Sequence, residues 1–406
     1  MSDKSKRILF VQPGGDYRAA YHRLIETGTE TYYGHRYVLS ILEALLAEGE
    51  VAMMCCRTEE RYVDVLPNGV TVIGAAAHPR KGAADIRRQM AAWNPTHVVV
   101  LGPMSPLIRW AIRTNRRVIC QLADSFNYGM LTLLRKHGLL ARLLNDRRVE
   151  WVTNHGVNAC RSLAGIGVDP DKIIAWDYPH VRRPDDLPPR TDGGTGGKGL
   201  LYVGTIQPDK GVGDVIDAIA ELRRRGTPAR LRIVGAGQVD RFRALAEQRG
   251  VAGDVDFLGL VTNADVFALM REASAIVVPS RHVYPEGLPL TIYEALCART
   301  PIIASDHPMF SGHLVHRKSA LVFRAGQATE LADQFTDLLS DPDLYARLSE
   351  SAPETWRRMQ NPVKWGDVIR YWIADDTASR TWLSDHRLEA IAGTGSVEIR
   401  APLPSR

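Results

Sequence analysis

Cysteine is scarce in this chain of 406 residues. There are five, Cys55, Cys56, Cys120, Cys160 and Cys297, with no Cys-x-x-Cys pair and no Cys/His ligand spacing. Neither a disulfide framework nor a structural zinc site is expected. Long apolar runs are missing too. None reaches the roughly 18 residues of a transmembrane helix. The short run Ile8-Leu9-Phe10-Val11 behind Lys4 and Arg7 reads as a first strand, not a signal peptide. Charge of one sign is not in excess: 51 basic against 46 acidic residues leave +5. That gives no reason to expect nucleic acid, and it suits anionic small molecules or an anionic membrane surface. No P-loop, Ser/His/Asp order or metal-ligand cluster stands out. A cytoplasmic, reduced setting is the expectation.

What the chain does have is length and alternation. It is too long for one ordinary core, so two domains of roughly 180 residues are expected. Strand candidates in the first half are Ile8–Val11, Val51–Met54, Val70–Ile73, His97–Leu101, Val118–Gln121 and Glu150–Thr153. Helices between them are expected at His35–Glu48, Ala84–Ala92, Leu107–Thr114 and Tyr128–Leu144. The second half offers strands at Gly199–Val203, Leu231–Val234, Val255–Phe257, Ala275–Val278 and Ile302–Ala304. Its helices are expected at Gly213–Arg225, Val239–Arg249, Asn263–Glu272 and Pro289–Ala298. Such alternation predicts parallel sheets covered on both faces. The Pro/Gly-rich stretch 184–198 reads as a linker between domains 1–183 and 199–360. Trp365, Ile369, Trp372 and Ile373 have helical spacing within 361–376, and 377–406 reads as a loose tail.

The sharpest motif is Pro285-Glu286-Gly287-Leu288-Pro289-Leu290-Thr291-Ile292-Tyr293-Glu294. The flanking strands put Glu286 in a βα loop and Glu294 inside the following helix, at the sheet edge where ligands bind in open α/β folds. Pro289 suits the first helical position, and the amides of Leu288 to Thr291 would make an anion site there. Glu286 could accept from sugar hydroxyls and Glu294 from a ribose diol. Alternatively, Glu286 complements the helix dipole and Glu294 is a surface group. Gly204, Thr205 and Lys210 follow the first strand of the second half: a phosphate loop with a mobile cation, or an ordinary βα loop. Gly235 and Gly237 lack the third glycine of a dinucleotide fingerprint, since position 240 is Asp240. A nicotinamide site is disfavoured, and either a tight turn or a nucleotide contact remains.

Gly14 and Gly15 after the first strand permit close approach of a substrate. The following loop, Asp16 to Tyr33, carries Tyr17, Tyr21, Tyr32 and Tyr33 and packs either on a sugar or on itself. Asp124 lies past a strand end, as an acceptor-orienting acid or a turn former. The basic amphipathic stretch 128–148 can lie on anionic lipid or place its apolar face in the core.

In this order the second-half motifs resemble the family-4 retaining glycosyltransferases of the GT-B fold. The matching stretches are Tyr202-Val203-Gly204, Lys210-Gly211, Val234-Gly235-Ala236-Gly237, Phe257-Leu258-Gly259, Val277-Val278-Pro279-Ser280 and the two glutamates. The first half matches loosely, through Gly14-Gly15 and Gly167-Val168-Asp169-Pro170. The resemblance implies two doubly wound Rossmann-like domains with a cleft between them, and a terminal helix crossing back to the first. It implies an acceptor domain (1–183) and a nucleotide-sugar donor domain (199–360). Its catalytic set is Glu286, Lys210 and Asp124. Its donor-binding set is Gly14, Gly15, Gly204, Thr205, Lys210, Gly235, Gly237, Val261, Arg281, Glu286, Gly287, Leu288, Pro289, Leu290 and Glu294. No metal or cofactor is implied beyond the nucleotide-sugar; the acceptor would be a glycan, a lipid-linked precursor or a small molecule. Two departures stand out. Thr205 occupies the place of a family Arg, for which Arg281 or His282 could substitute, and Ala123 the place of a family His. A nucleotide-sugar binding or regulatory protein with a weakened site is the alternative.

Overall fold

The structure, a computed structural model, describes residues 6–28, 30, 34–126, 137–191 and 199–389. These divide into two compact units. Unit 1 runs to Tyr178 and resumes at Asn361; unit 2 is the described part of Pro179–Gln360.

Unit 1 is built on eight strands: β1 (Lys6–Gln12), β2 (Gly49–Cys55), β3 (Tyr62–Val65), β4 (Thr71–Gly74), β5 (His97–Val100), β6 (Arg117–Leu122), β7 (Val149–His155) and β8 (Ile173–Trp176). Their order is β3-β4-β2-β1-β5-β6-β7-β8. All pairs are parallel except the edge pair β3–β4. Ile8 to Val11 and Val98 to Val100 are fully buried, as expected of strands covered on both faces. The covering helices are α1 (Tyr17–Thr27), α2 (His35–Ala44), α3 (Ala83–Trp93), α4 (Ser105–Arg113), α5 (Gly138–Leu144) and α6 (Val157–Gly165).

Unit 2 holds β9 (Gly199–Val203), β10 (Arg230–Val234), β11 (Val255–Gly259), β12 (Ala275–Val278), β13 (Ile302–Ser305) and β14 (Leu321–Phe323). All pairs are parallel, in the order β11-β10-β9-β12-β13-β14. Its helices are α7 (Val212–Arg224), α8 (Val239–Gln248), α9 (Asn263–Glu272), α10 (Leu290–Cys297), α11 (Ala328–Ser340), α12 (Pro342–Glu350) and α13 (Ala352–Met359). The chain then returns to unit 1 as α14 (Trp365–Ala374) and α15 (Thr377–Asp385). Trp365, Ile369, Trp372 and Ile373 are all buried there. Trp365 stacks on Phe10 at 6.0 Å, and the Trp372 indole donates to Glu150 Oε2 at 2.9 Å.

Four sequence expectations change. Residues 17–27 are a helix rather than loop. Asp16 caps it by accepting from the Ala19 amide at 3.0 Å, and Gly28 closes it in a left-handed conformation. The unit boundary falls between Tyr178 and Pro179, not at 183. The described part of the expected linker is packed on unit 2. Arg190 is buried and donates to Ala273 O at 3.0 Å and Thr300 Oγ1 at 2.8 Å. Arg299 Nε donates to Pro184 O at 2.7 Å. Buried arginines satisfy the backbone here, so no apolar periodicity is needed. Residues 377–385 of the expected tail form α15, capped by Asp376 on the Ser379 amide. Within 128–148, only 137–148 are described; there Leu140, Ala141 and Leu144 of α5 are buried while Leu139 is exposed. Tyr32, Tyr33 and residues 127–136 lie outside the described residues. No described helix is long and apolar enough to cross a membrane.

Candidate functional site

Unit 2's strand order reverses at β9, whose neighbours are β10 and β12. Loops leaving β9 and β12 in opposite directions open a crevice at the carboxyl edge of a parallel sheet, the usual ligand position. The β9 loop runs beside the β10 loop. Ile206 N donates to Ala236 O at 2.9 Å, Gln238 N to Ile206 O at 2.8 Å, and Gly204 N to Val234 O at 3.0 Å. This close approach explains two glycines. Gly235 and Gly237 have φ of 144° and 145°. A Cβ on the first would collide with the Gly204 carbonyl oxygen, and one on the second with that of Ile206.

The loop after β12 carries Glu286, which is buried. Its Oε1 accepts from the Lys210 ammonium and from Ser280 Oγ, the latter at 2.5 Å. Lys210 Nζ also lies 4.4 Å from the centre of the Tyr284 ring, a cation–π contact. The first loop's cation and the second loop's carboxylate are thus one ion pair, with only 15% and 7% of the side chains exposed.

Three consecutive residues at the end of β13 brace this loop. Ser305 Oγ donates to Ser280 O at 2.6 Å, Asp306 Oδ1 pairs with His282 Nε2 at 2.8 Å, and His307 Nε2 lies 3.0 Å from Tyr284 O. His307 Nδ1 accepts from the Met309 amide at 3.2 Å, which leaves its proton on Nε2 to donate to Tyr284 O. Burial pushes His307 down to about 4, so it stays neutral near pH 7. The bond to Asp306 raises His282, and burial opposes it.

Helix α10 begins at Leu290 with Pro289 as its N-cap, one position earlier than a first-helical proline. Thr291 Oγ1 donates to Val203 O at 3.3 Å, fixing the helix start above the end of β9. The Leu290 and Thr291 amides have no carbonyl four residues back within the helix and point their partial positive charge at the crevice end. Gly287 and Leu288 are buried beneath them.

Glu294 sits in the second turn of α10. Burial pushes its carboxyl up to about 7, and the Arg182 guanidinium opposes that. The folded value lies above the ordinary 4.5, so the folded protein keeps a proton that the unfolded chain releases between these pH values. Stability from this group therefore falls as pH rises through that window. Glu294→Gln should flatten the slope, gaining on the order of 3 kcal/mol at pH 8 and well under about 1 kcal/mol at pH 4.5. Urea unfolding at both pH values checks this; an unchanged slope would assign the titration to another group.

Other expected residues stand as follows. Thr205 is exposed, and its carbonyl accepts from the Tyr202 hydroxyl at 2.7 Å. Arg281 does not serve as a free replacement cation. Asp214 in the first turn of α7 holds its guanidinium in a bidentate pair, with Nε to Oδ2 at 2.9 Å. His282 is likewise engaged, by Asp306. Val261 is half-buried between β11 and α9. Gly14, Gly15 and Asp124 belong to unit 1, after β1 and β6. The Gln12 side chain donates to Gly14 O. Burial pushes Asp124 up to about 6, and its carbonyl accepts from Asn154 Nδ2 at 2.8 Å. Ser280 stood in a matching stretch of the sequence without a role of its own, and Tyr284 and the brace Ser305-Asp306-His307 were not anticipated. Their one signal was position beside the Glu286 loop and at the end of a strand. Among the described residues no cluster of three or more His, Cys, Asp and Glu could hold a metal ion.

Two Rossmann-like parallel-sheet units, the first completed by the chain's return, define the GT-B class of fold. Residues 190–355 match the family model described as "Glycosyl transferases group 1". The chain is 31% identical over 154 residues to an alpha-D-kanosaminyltransferase of Streptomyces kanamyceticus, covering 38% of this chain and 39% of that protein. It is 29% identical over 177 residues to a phosphatidyl-myo-inositol mannosyltransferase of Mycobacterium leprae, covering 43% and 46%. The match thus spans less than half the length of these curated relatives. Among solved structures, a sucrose-phosphate synthase from Thermosynechococcus elongatus aligns over 91% of this chain and 100% of that one, with a TM-score of 0.68 at 18% identity. Anabaena HepE in complex with UDP and glucose aligns over 92% and 100%, with a TM-score of 0.64 at 15% identity. These two likenesses concern the fold.

Proposed function

We propose that the protein is a retaining family-4 glycosyltransferase, moving a sugar from a nucleoside-diphosphate donor to an acceptor hydroxyl. The observation that carries this is the buried Lys210–Glu286 pair at the β9/β12 crevice, beside the start of α10. A lysine held on a carboxylate and an aromatic face is a stored cation: a diphosphate can draw it across without a large desolvation cost. Glu286, freed of Lys210, accepts from hydroxyls of the transferred sugar. The negative charge on the leaving diphosphate grows as the glycosidic bond lengthens, and Lys210 with the Leu290 and Thr291 amides takes it up. Oxocarbenium character at the sugar carbon is expected, as in glycoside hydrolysis. Glu294 takes the ribose diol, and Asp124 of unit 1 is assigned to the acceptor hydroxyl. The acceptor class we assign is a glycan, lipid-linked precursor or small molecule.

Two measurements follow. Lys210→Ala should weaken nucleoside-diphosphate binding at least about tenfold and nucleoside-monophosphate binding much less, read by calorimetry. Equal losses for both ligands would remove Lys210 from the diphosphate. Because the ribose stabilises ionised Glu294, nucleotide affinity should also rise with pH up to about 7 in the wild type. It should not in Glu294→Gln.

A second reading is supported by Thr205, by Arg281 being committed to Asp214, and by Ala123. With half of a diphosphate clamp missing, the protein would bind nucleotide-sugars without turning them over. Nucleotide-sugar binding by calorimetry without release of nucleoside diphosphate, across an acceptor panel, would favour it.

A further inference from the structure

A second constellation lies in unit 1, at the carboxyl edge of its sheet, where the loops after β2 and β4 run together. Ala75 N donates to Cys55 O at 2.9 Å, Ala77 N to Cys56 O at 2.8 Å, and Ala76 N to Thr58 Oγ1 at 3.0 Å. Ala76 is held at φ 48°, a left-handed conformation unfavourable for a non-glycine residue. The strained turn delivers His78 to the surface against Arg57.

The tautomer of His78 is fixed by its neighbours. Nδ1 accepts from the Arg80 amide at 3.1 Å and the Lys81 amide at 3.3 Å. The neutral ring therefore carries its proton on Nε2. That nitrogen lies 3.1 Å from Arg57 Nη2, which is also a donor. Two donors facing each other repel; an oxygen anion seated against both would accept from each. Nearby acids do not relieve this contact. Glu60 is taken by Arg18, and Asp85 is shared by Arg61 and Arg88. Arg57, Arg80 and Lys81 form no ion pair with a carboxylate among the described residues. Beyond desolvation, the groups acting on His78 are Arg57, Lys81 and Arg80, all of which lower it.

We infer that Arg57, His78, Arg80 and Lys81 form a binding site for a phosphoryl group. Three cations and an imidazole N–H, with no carboxylate among them, match a dianion better than a single carboxylate. The phosphoryl group comes either from a soluble phosphorylated compound or from a lipid headgroup. The inference does not rest on the donor reading of unit 2, and each can fail without the other.

The test is titration of the full chain followed by NMR of the histidine Cε1–H signals. The His78 signal is identified by its loss in His78→Gln. Inorganic phosphate should raise the His78 pKa by about one unit or more, because an anion would then sit beside the imidazolium. Arg57→Gln should weaken phosphate binding at least about tenfold, and so should Lys81→Gln. Both residues are exposed, so the variants should keep the wild-type fold, checked by their unfolding midpoints. Vesicles of phosphatidylcholine containing phosphatidylglycerol separate the sources. If they perturb the His78 signal, the site takes a lipid headgroup; a response to phosphate alone assigns a soluble phosphoryl compound. A His78 titration unmoved by both probes, or moved equally in Arg57→Gln, would overturn the inference.

Discussion

Glu286→Ala should lower sugar transfer by about three orders of magnitude while leaving nucleoside-diphosphate binding within a few fold of wild type. Such a loss is typical when one preorganised polar group at the reacting centre is removed. The asymmetry follows from where the parts sit. Glu286 accepts from Lys210 and Ser280, and in the proposed reaction it meets the transferred sugar, whereas the amides at the start of α10 and Glu294 are assigned to the nucleotide. Removing Glu286 strands a mostly buried ammonium, so some stability is lost. Lys210 is 15% exposed and can turn toward water, which limits the loss to about 1–3 kcal/mol. Glu286→Gln separates structure from chemistry. It keeps an acceptor for Ser280 but loses the ion pair, so it should recover stability more than activity. Wild-type turnover by Glu286→Ala would sink the assignment.

The second large effect is on folding. Gly235→Ala should destabilise unit 2 by about 3 kcal/mol or more. Gly235 has φ 144°, and a Cβ there would drive into the Gly204 carbonyl oxygen, part of the backbone rather than a movable side chain. The two loops would have to separate, breaking the contact between Ile206 and the 236–238 segment. Gly253→Ala is the control: a Cβ there meets nothing within 4 Å, and its φ is not left-handed. It should change stability by less than about 0.5 kcal/mol. Urea unfolding of the three proteins checks this, and equal midpoints would show that the loop approach is not required.

The sequence showed the parts of this fold that repeat. Buried parallel strands read as apolar runs, and α9 (Asn263–Glu272) lay where its pattern put it. The strands that escaped notice are short or lie at the sheet margin. β3 is a four-residue antiparallel edge strand with Val63 and Val65 exposed, β14 has three residues, and β8 follows a short 3-10 turn. Helix α1 buries mainly Tyr17, Ala20 and Tyr21, so tyrosine hid its apolar face. The two glutamates were legible because their spacing spans one loop and one helix start. The brace was not legible. Ser305, Asp306 and His307 act on residues 25, 24 and 23 positions upstream, a pairing that only the β12–β13 alignment creates. Arg281 shows the converse: adjacency to Glu286 suggested a phosphate clamp, but the start of α7 brings Asp214 to it instead.

The proposed reaction requires a nucleoside-diphosphate site on unit 2 that uses Lys210. The most direct measurement is a thermal-shift screen of nucleoside diphosphates and their sugars, which needs no acceptor. Ligands that bind the native state raise its melting temperature by mass action, by about 2.7 kcal/mol of stability at one hundred times Kd. At least one nucleoside diphosphate and its sugar should raise the midpoint of the wild type, and Lys210→Ala should lose most of this shift. A panel that leaves the wild-type midpoint unmoved, or shifts Lys210→Ala to the same extent, would contradict the proposed site.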